Sequence, residues 1–191
     1  MSASEDVREL RQAYGDIADF ARAYNPCVQH RLMTAKARKG VVALTGNVPT
    51  LSLLSEAYPA AAADMPLPAA LWVKLQLEDF FEYCEQQVGV TSDRVYELSL
   101  IIVERYHFLN VLEIELWLAE CKGSATFFGT AGPLRMMELL KNYVVERNAD
   151  IARVESEIKA IERSMRRQRA EDYKRYYEEY NEKRKEEKHG K

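Results

Sequence analysis

The chain has 191 residues, 47% of them hydrophobic, and carries 27 Lys and Arg against 30 Asp and Glu, a net charge of −3. This length and apolar content exclude wholesale disorder and predict one domain of ordinary size with appendages. The charge is unevenly distributed, because residues 1–150 have 14 basic and 20 acidic side chains, whereas residues 151–191 have 13 and 10. A mildly acidic body therefore carries a mildly basic tail.

The first residues, "MSASEDVREL", are acidic and lack the apolar centre of a signal peptide. No apolar run approaches the ~18–20 residues that a membrane span requires. The odd number of cysteines (Cys27, Cys84 and Cys121) argues against a disulfide framework. We expect a cytoplasmic protein without membrane contact.

The amino-terminal part predicts an arm over residues 1–58. Residues 5–24 have the three- and four-residue apolar spacing of an amphipathic helix that ends at Asn25-Pro26. A possible strand or extended segment follows, and it contains four basic residues: Arg31, Lys36, Arg38 and Lys39. Thr50 or Ser52 is suited to cap a short helix. Residues 59–68 contain three prolines and read as a linker.

A helical domain is predicted over residues 69–148. Residues 69–87, 92–105 and 107–122 each have a mostly helical apolar pattern, and Ser92 is suited to cap the second. With the long helix described next, these segments predict an all-α fold.

No proline follows Pro133, and the only glycine after it in the sequence is Gly190, so nothing breaks a helix up to about residue 188. Apolar residues in this stretch alternate three- and four-residue steps, as in a coiled coil, with Arg147 as the exception. Residues 149–191 are predicted to continue the helix as a charged tail. The predicted oligomer interface is Leu140, Val144, Ile151, Val154, Ile158, Ile161 and Met165.

The connection before this helix, "KGSATFFGTAG", is rich in glycine but lacks the Gly-Lys-Ser/Thr of a phosphate-binding loop and the preceding strand of a dinucleotide site. We interpret it as a structural hinge. The alternative is an anion site at the helix start. The residues concerned are Lys122, Gly123, Phe128, Gly129, Gly132, Pro133 and Arg135.

The stretch "YELSLIIVERYHFLNVLEIELWLAECKGSATFFGTAGPLRMMELLKNYVVER" resembles an uncharacterised helical domain family common in Bacteroidota prophages and conjugative elements. The resemblance covers roughly residues 70–148. It is carried by Glu104, Tyr106, Leu109, Glu113, Leu116, Phe128, Gly129, Pro133 and Glu146-Arg147. Residues 124–126 and 131–132 depart from the family pattern. The resemblance implies work on mobile-element DNA, such as replication or helicase loading.

Other polar groups favour structural roles. Glu104 and His107 could pair at a helix junction, but no nucleophile is near in sequence. Glu113 and Glu115 point to different faces of one helix, and Glu113 is expected to pair with Arg105 or Arg147. Cys27-x-x-His30 is half of a zinc site, and buried free thiols are the simpler interpretation. We predict no catalytic residue, metal or other cofactor, and no small-molecule substrate.

The tail interleaves basic residues with tyrosines. Such a segment could hold a nucleic-acid backbone while rings stack on bases, or it could be a solvated helix with ion pairs. The predicted nucleic-acid residues are Arg163, Arg166, Arg167, Arg169, Lys174 and Arg175. The favoured function is a non-enzymatic adaptor of a phage or mobile element in nucleoprotein complexes, with protein partners or self-association. The alternative is a structural protein that self-associates through its long helix.

Overall fold

A computed structural model describes the chain over residues 3–25, 38–46, 48–62, 65–84, 90–123 and 132–189, with side chains described between 7 and 180. These residues form helices and no strand, so the all-α prediction is confirmed. The helices are α1 (Ala3–Tyr14), α2 (Ile17–Ala23), α3 (Lys39–Ala43), α4 (Leu51–Ala57), α5 (Pro68–Tyr83), α6 (Ser92–Arg105), α7 (Val111–Lys122) and α8 (Pro133–His189).

The chain divides into two compact units, Met1–Ile151 and Ala152–Lys191. The first unit has one hydrophobic core, to which the amino-terminal helices contribute Leu10, Phe20, Leu51 and Leu54 together with Trp72 and Phe80 of α5, among others. Helices of residues 1–58, which were predicted as an arm, thus share one core with the helical domain predicted over residues 69–148. Short amphipathic helices are marginal alone, and here they bury their apolar faces on the main helical body.

The predicted helix over residues 5–24 is two helices. Gly15 has a φ of +67°, a left-handed conformation that terminates α1. Asp16 then caps α2, because its side chain accepts a hydrogen bond from the Asp19 amide at 2.8 Å. A glycine followed by a capping residue is therefore the local reason for the break.

Four other helix starts show how capping sets the boundaries. Thr50, one of the two predicted candidates, caps α4, but Thr91 rather than Ser92 caps α6. The helix predicted over residues 107–122 begins later, after Asn110, which forms a capping box with Glu113. The last helix begins at Pro133 as predicted, and the Gly132 carbonyl accepts a hydrogen bond from the Met136 amide at 3.1 Å.

Residues 107–111 also pair with the segment before α4. The Leu51 amide donates to the Leu109 carbonyl at 2.9 Å, and the Val111 amide donates to the Pro49 carbonyl at 3.0 Å. The Asn110 side chain reaches further and donates to the Val42 carbonyl of α3 at 3.0 Å. These bonds fix the start of α7, and with it the position of its buried carboxylates, within the first unit.

Candidate functional site on the carboxy-terminal helix

The first part of α8 belongs to the core of the first unit. Met136, Leu140 and Tyr143 are buried, and Val144 packs against the core as a half-buried residue. Leu140 and Val144, the first two residues of the predicted oligomer interface, therefore pack within the monomer. Hydrophobic residues at this spacing serve intramolecular packing as readily as an interface between copies.

Arg147 interrupts the apolar spacing because it meets a buried carboxylate. Its Nε donates to Glu113 Oε1 at 2.5 Å, and its Nη2 donates to Glu113 Oε2 at 3.3 Å. Glu113 is fully buried and also accepts the Asn110 amide at 2.9 Å. The expected partner of Glu113 was Arg105 or Arg147, and the structure confirms Arg147.

Two residues of the predicted basic segment, at the start of α3, form ion pairs with acidic groups of the first unit. Lys39 Nζ lies 2.8 Å from Glu120 Oε1 and 2.7 Å from Glu146 Oε2. Arg38 contacts Asp150 at 3.4 Å, and the Gly40 amide donates to the same carboxylate at 2.8 Å. Arg38 and Lys39 thus hold α3 to α7 and α8, while Arg31 and Lys36 lie outside the described residues.

The cations beside the glycine-rich loop also have carboxylate partners. Lys122 Nζ lies 2.6 Å from Asp79 Oδ2 and 4.9 Å from the ring centre of Tyr83. Arg135 contacts Glu138 at 2.6 Å, one turn along α8. Gly123 caps the end of α7. Phe128 and Gly129 lie outside the described residues. The acidic partners of Lys122 and Arg135 weigh against an anion site, and the hinge interpretation stays a prediction.

Glu115 is the buried carboxylate that sequence reasoning left without a role. It is 1% exposed, and its Oε1 has no hydrogen-bond partner among the described residues. The pKa of Glu115 is raised to about 8, chiefly by burial and also by nearby Asp79, while Lys122 opposes the shift. Glu115 and Glu113 occupy different environments, as predicted, and do not form a paired-carboxylate site.

The junction between α6 and α7 does not pair its two candidate side chains. Glu104 and His107 are exposed, and the His107 Nδ1 lies 3.2 Å from the Glu104 backbone carbonyl rather than from its carboxylate. Cys84 and Cys121 are buried free thiols, as predicted, whereas Cys27 lies outside the described residues. The described part of the chain contains no group of three His, Cys, Asp or Glu side chains arranged to hold a metal.

In the second unit, every described residue from 155 to 180 is exposed. Val154 is buried and Ile151 is half-buried, but Ile158, Ile161 and Met165 are 46%, 60% and 51% exposed. Three tyrosines continue on the same side, at positions 173, 176 and 180. We call this set the apolar stripe: Ile158, Ile161, Met165, Tyr173, Tyr176 and Tyr180.

A second surface follows from the helical geometry. At 3.6 residues per turn, five cations of this helix fall within about 100° of arc, and no Asp or Glu between residues 156 and 177 shares that arc. We call this set the arginine face: Lys159, Arg163, Arg166, Arg167 and Lys174. Arg163 and Arg167 lie two residues on either side of Met165, so they point roughly opposite to the apolar stripe.

The three arginines of this face form no hydrogen bond or ion pair with any described residue. The two lysines of this face make only long contacts, Lys159 with Glu155 and Lys174 with Glu178, at 3.8 Å each. Such exposed contacts contribute little to stability. This face therefore presents positive charge to solvent.

Helical geometry separates the six residues predicted to bind nucleic acid. Arg169 lies in line with the apolar stripe, between Met165 and Tyr173. Arg175 points to another side and contacts Asp172 at 2.9 Å. Sequence reasoning overlooked Lys159, and it did not assign Tyr177, which shares the arc of the arginine face. A helical projection would have found both.

Comparisons with known proteins found no match to this chain. No protein-family model matches the chain. No curated protein and no solved structure matches it either. The resemblance of residues 70–148 to a domain family of mobile elements stays a prediction. Within the described residues, no helix has both the length and the apolar character to cross a membrane.

Proposed function

We propose that this chain is a non-enzymatic adaptor that binds nucleic acid through the arginine face of its carboxy-terminal helix. The observation that carries the proposal is the placement of Arg163, Arg166 and Arg167 on an exposed arc that no Asp or Glu between residues 156 and 177 shares. Exposed cations that form no ion pair within the chain attract phosphates, because binding releases the counterions condensed on a nucleic acid. Arginine also pairs well with phosphate oxygens.

The resemblance of residues 70–148 to a mobile-element domain family is the reason for proposing a phage or mobile-element setting in the cytoplasm. The first unit would then provide the surface for protein partners. Tyr177 lies on the same arc as the arginines, where its exposed ring is available to stack on an unpaired base. The exposed stripe on the other side of the helix supports a second candidate, in which the chain is an assembly protein that self-associates.

Charge-matched variants test the proposal. The first variant replaces Arg163, Arg166 and Arg167 by Gln. The control replaces three exposed cations of the first unit by Gln: Arg8, Arg105 and Lys141. Both variants change the net charge by the same amount, so long-range attraction is matched.

Binding of labelled single- and double-stranded DNA and RNA is followed by fluorescence anisotropy. The arginine-face variant is expected to lose at least about tenfold in affinity while the control stays near the unchanged protein, since each lost phosphate contact weakens binding. Equal loss in both variants would show attraction by net charge alone. Absence of binding by the unchanged protein would reject the nucleic-acid function and leave the assembly function.

A further inference from the structure

The apolar stripe of the second unit has no cover within the described residues. Ile161, Met165 and Tyr173 are 60%, 51% and 68% exposed. Apolar side chains repeated on one face of a long helix are typical of a helix that pairs with another helix. The occupant of this stripe can be inferred from the charges along it.

A parallel pair in register would be opposed by its own charges. Arg169 lies on the stripe, so a parallel arrangement would place two copies of this guanidinium group against each other. At the edge of the same seam, Glu157 would lie across from Glu162 of the other copy. Like charges in such positions disfavour a pairing mode.

An antiparallel arrangement removes both conflicts. The stripe is nearly symmetric about Met165, because Ile161 and Arg169 lie four residues away on either side. Ile158 and Tyr173 lie seven and eight residues away. A two-fold axis at Met165 therefore places the aliphatic side chains of one copy against the tyrosine end of the other.

The charges at the seam also become complementary. Arg169 of one copy faces Ile161 of the second copy and lies beside its neighbour Glu162. Neither Arg169 nor Glu162 forms an ion pair with another described residue of its own chain. The aliphatic stem of Arg169 can cover Ile161 while its guanidinium group reaches the carboxylate.

We propose that two copies of this chain pair through their carboxy-terminal helices, antiparallel, with Met165 at the two-fold axis. The contact runs from Ile158 to Tyr173, about 24 Å of helix. The proposal does not depend on nucleic-acid binding. Because Arg163 and Arg167 point away from the stripe, the pair would carry two arginine faces on opposite sides.

Disulfide mapping tests the orientation. Single cysteines replace Met165, Ile158 or Tyr173 in the full-length chain, and Ala160→Cys, exposed but off the stripe, is the control. After mild oxidation, linked peptides are identified by mass spectrometry, and the unsubstituted chain shows the background from its own three cysteines.

M165C is expected to link to itself, and a mixture of I158C with Y173C is expected to link as a hetero-pair. I158C alone and A160C alone should stay at background. Self-linking of I158C would overturn the antiparallel arrangement, as would failure of M165C or of the mixture to link. Linking of A160C as fast as M165C would mean random collision and would also overturn it.

Sedimentation equilibrium supplies a second, independent readout. Ile161→Asp is expected to weaken dimerisation by about tenfold or more, because it places a carboxylate in the seam. Ala160→Asp adds the same charge on the side of the helix that faces away from the apolar stripe, so it should leave the dimer unchanged. Both residues are exposed, so neither change should unfold the chain. A monomer at every concentration, or equal effects of the two variants, would contradict the proposal.

Discussion

Arg147 and Glu113 form a buried ion pair that joins α8 to α7, with Nε of the arginine 2.5 Å from Oε1 of the glutamate. The Glu113 side chain is fully buried, and that of Arg147 is 13% exposed. Arg147 also lies over the ring of Phe108, 5.3 Å from its centre. One basic residue in an otherwise apolar spacing is thus explained by a partner 34 positions earlier in the chain.

Removal of Arg147 should strongly destabilise the first unit. Arg147→Met leaves a buried carboxylate without its counter-charge, and we expect a loss of about 3–5 kcal/mol in the free energy of unfolding. Adding Glu113→Gln to Arg147→Met should restore part of it, because glutamine removes the charge and can still accept the Asn110 amide. Urea denaturation measures both variants. A loss below about 0.5 kcal/mol in the single variant would contradict this role.

Gly40 should tolerate no side chain. A Cβ atom at this position would lie 2.6 Å from the backbone carbon of Asp150 and 2.7 Å from the Ile151 amide nitrogen. We expect Gly40→Ala to reduce the free energy of unfolding by about 1–3 kcal/mol, because α3 must move away from α8. Gly46→Ala is the matched control, since nothing lies within 4 Å of a Cβ there. Equal melting temperatures for the two variants would argue against the close approach.

The buried Glu115 should make stability depend on pH. Its pKa is raised to about 8 in the folded protein, from an ordinary value of 4.5. Between these values the folded state keeps a proton that the unfolded state has lost, so stability falls as pH rises, by up to about 1.4 kcal/mol per pH unit. The stability that the raised pKa of Glu115 contributes is fully present below about pH 4.5 and is lost as the pH rises through about 8.

Glu115→Gln removes the titrating group, so the difference in stability between this variant and the unchanged protein isolates its effect. We expect the variant to gain relative stability as pH rises from 5 to 8, measured by urea denaturation at each pH. Glu120 also has a raised pKa from burial, and it titrates in both proteins. A difference that does not change with pH would show that Glu115 is charged in the folded state.

The two ends of the predicted interface should respond differently to truncation. Leu140 is fully buried, so Leu140→Ala is expected to cost about 2–5 kcal/mol of folding stability. Ile161 is 60% exposed, so Ile161→Ala should change monomer stability by less than about 0.5 kcal/mol. Thermal unfolding at low protein concentration compares them. Similar losses of stability at both positions would mean that the whole predicted interface packs inside the monomer.

This difference shows what the sequence could and could not predict. The sequence predicted the long helix that begins at Pro133, because its apolar residues have helical spacing and no further proline or glycine interrupts it before residue 190. Periodicity alone could not show that Leu140 faces the core while Ile161 faces solvent. That distinction depends on which other elements pack on the helix, and they come from distant parts of the chain.

The amino-terminal half was harder to predict for the same reason. Leu10 and Phe20 were assigned to helices, but their burial against residues such as Trp72 is a tertiary property. The break at Gly15 was present in the sequence as a glycine followed by a capping residue. The Arg147–Glu113 pair was predictable because a buried carboxylate needs a cation and few were suitably placed. The arginine face required a helical projection, which adds Lys159 to the predicted cations and separates Arg169 and Arg175 from them.

The measurement that tests the central claim most directly is the salt dependence of nucleic-acid affinity for the full-length protein. Anisotropy titrations between about 50 and 200 mM salt give the slope of log K against log salt. If the arginine face contacts three to five phosphates, the slope should be roughly −3 to −4.5 on duplex DNA and −2 to −3.5 on single strands. A slope near zero, or no binding at the lowest salt, would contradict the account.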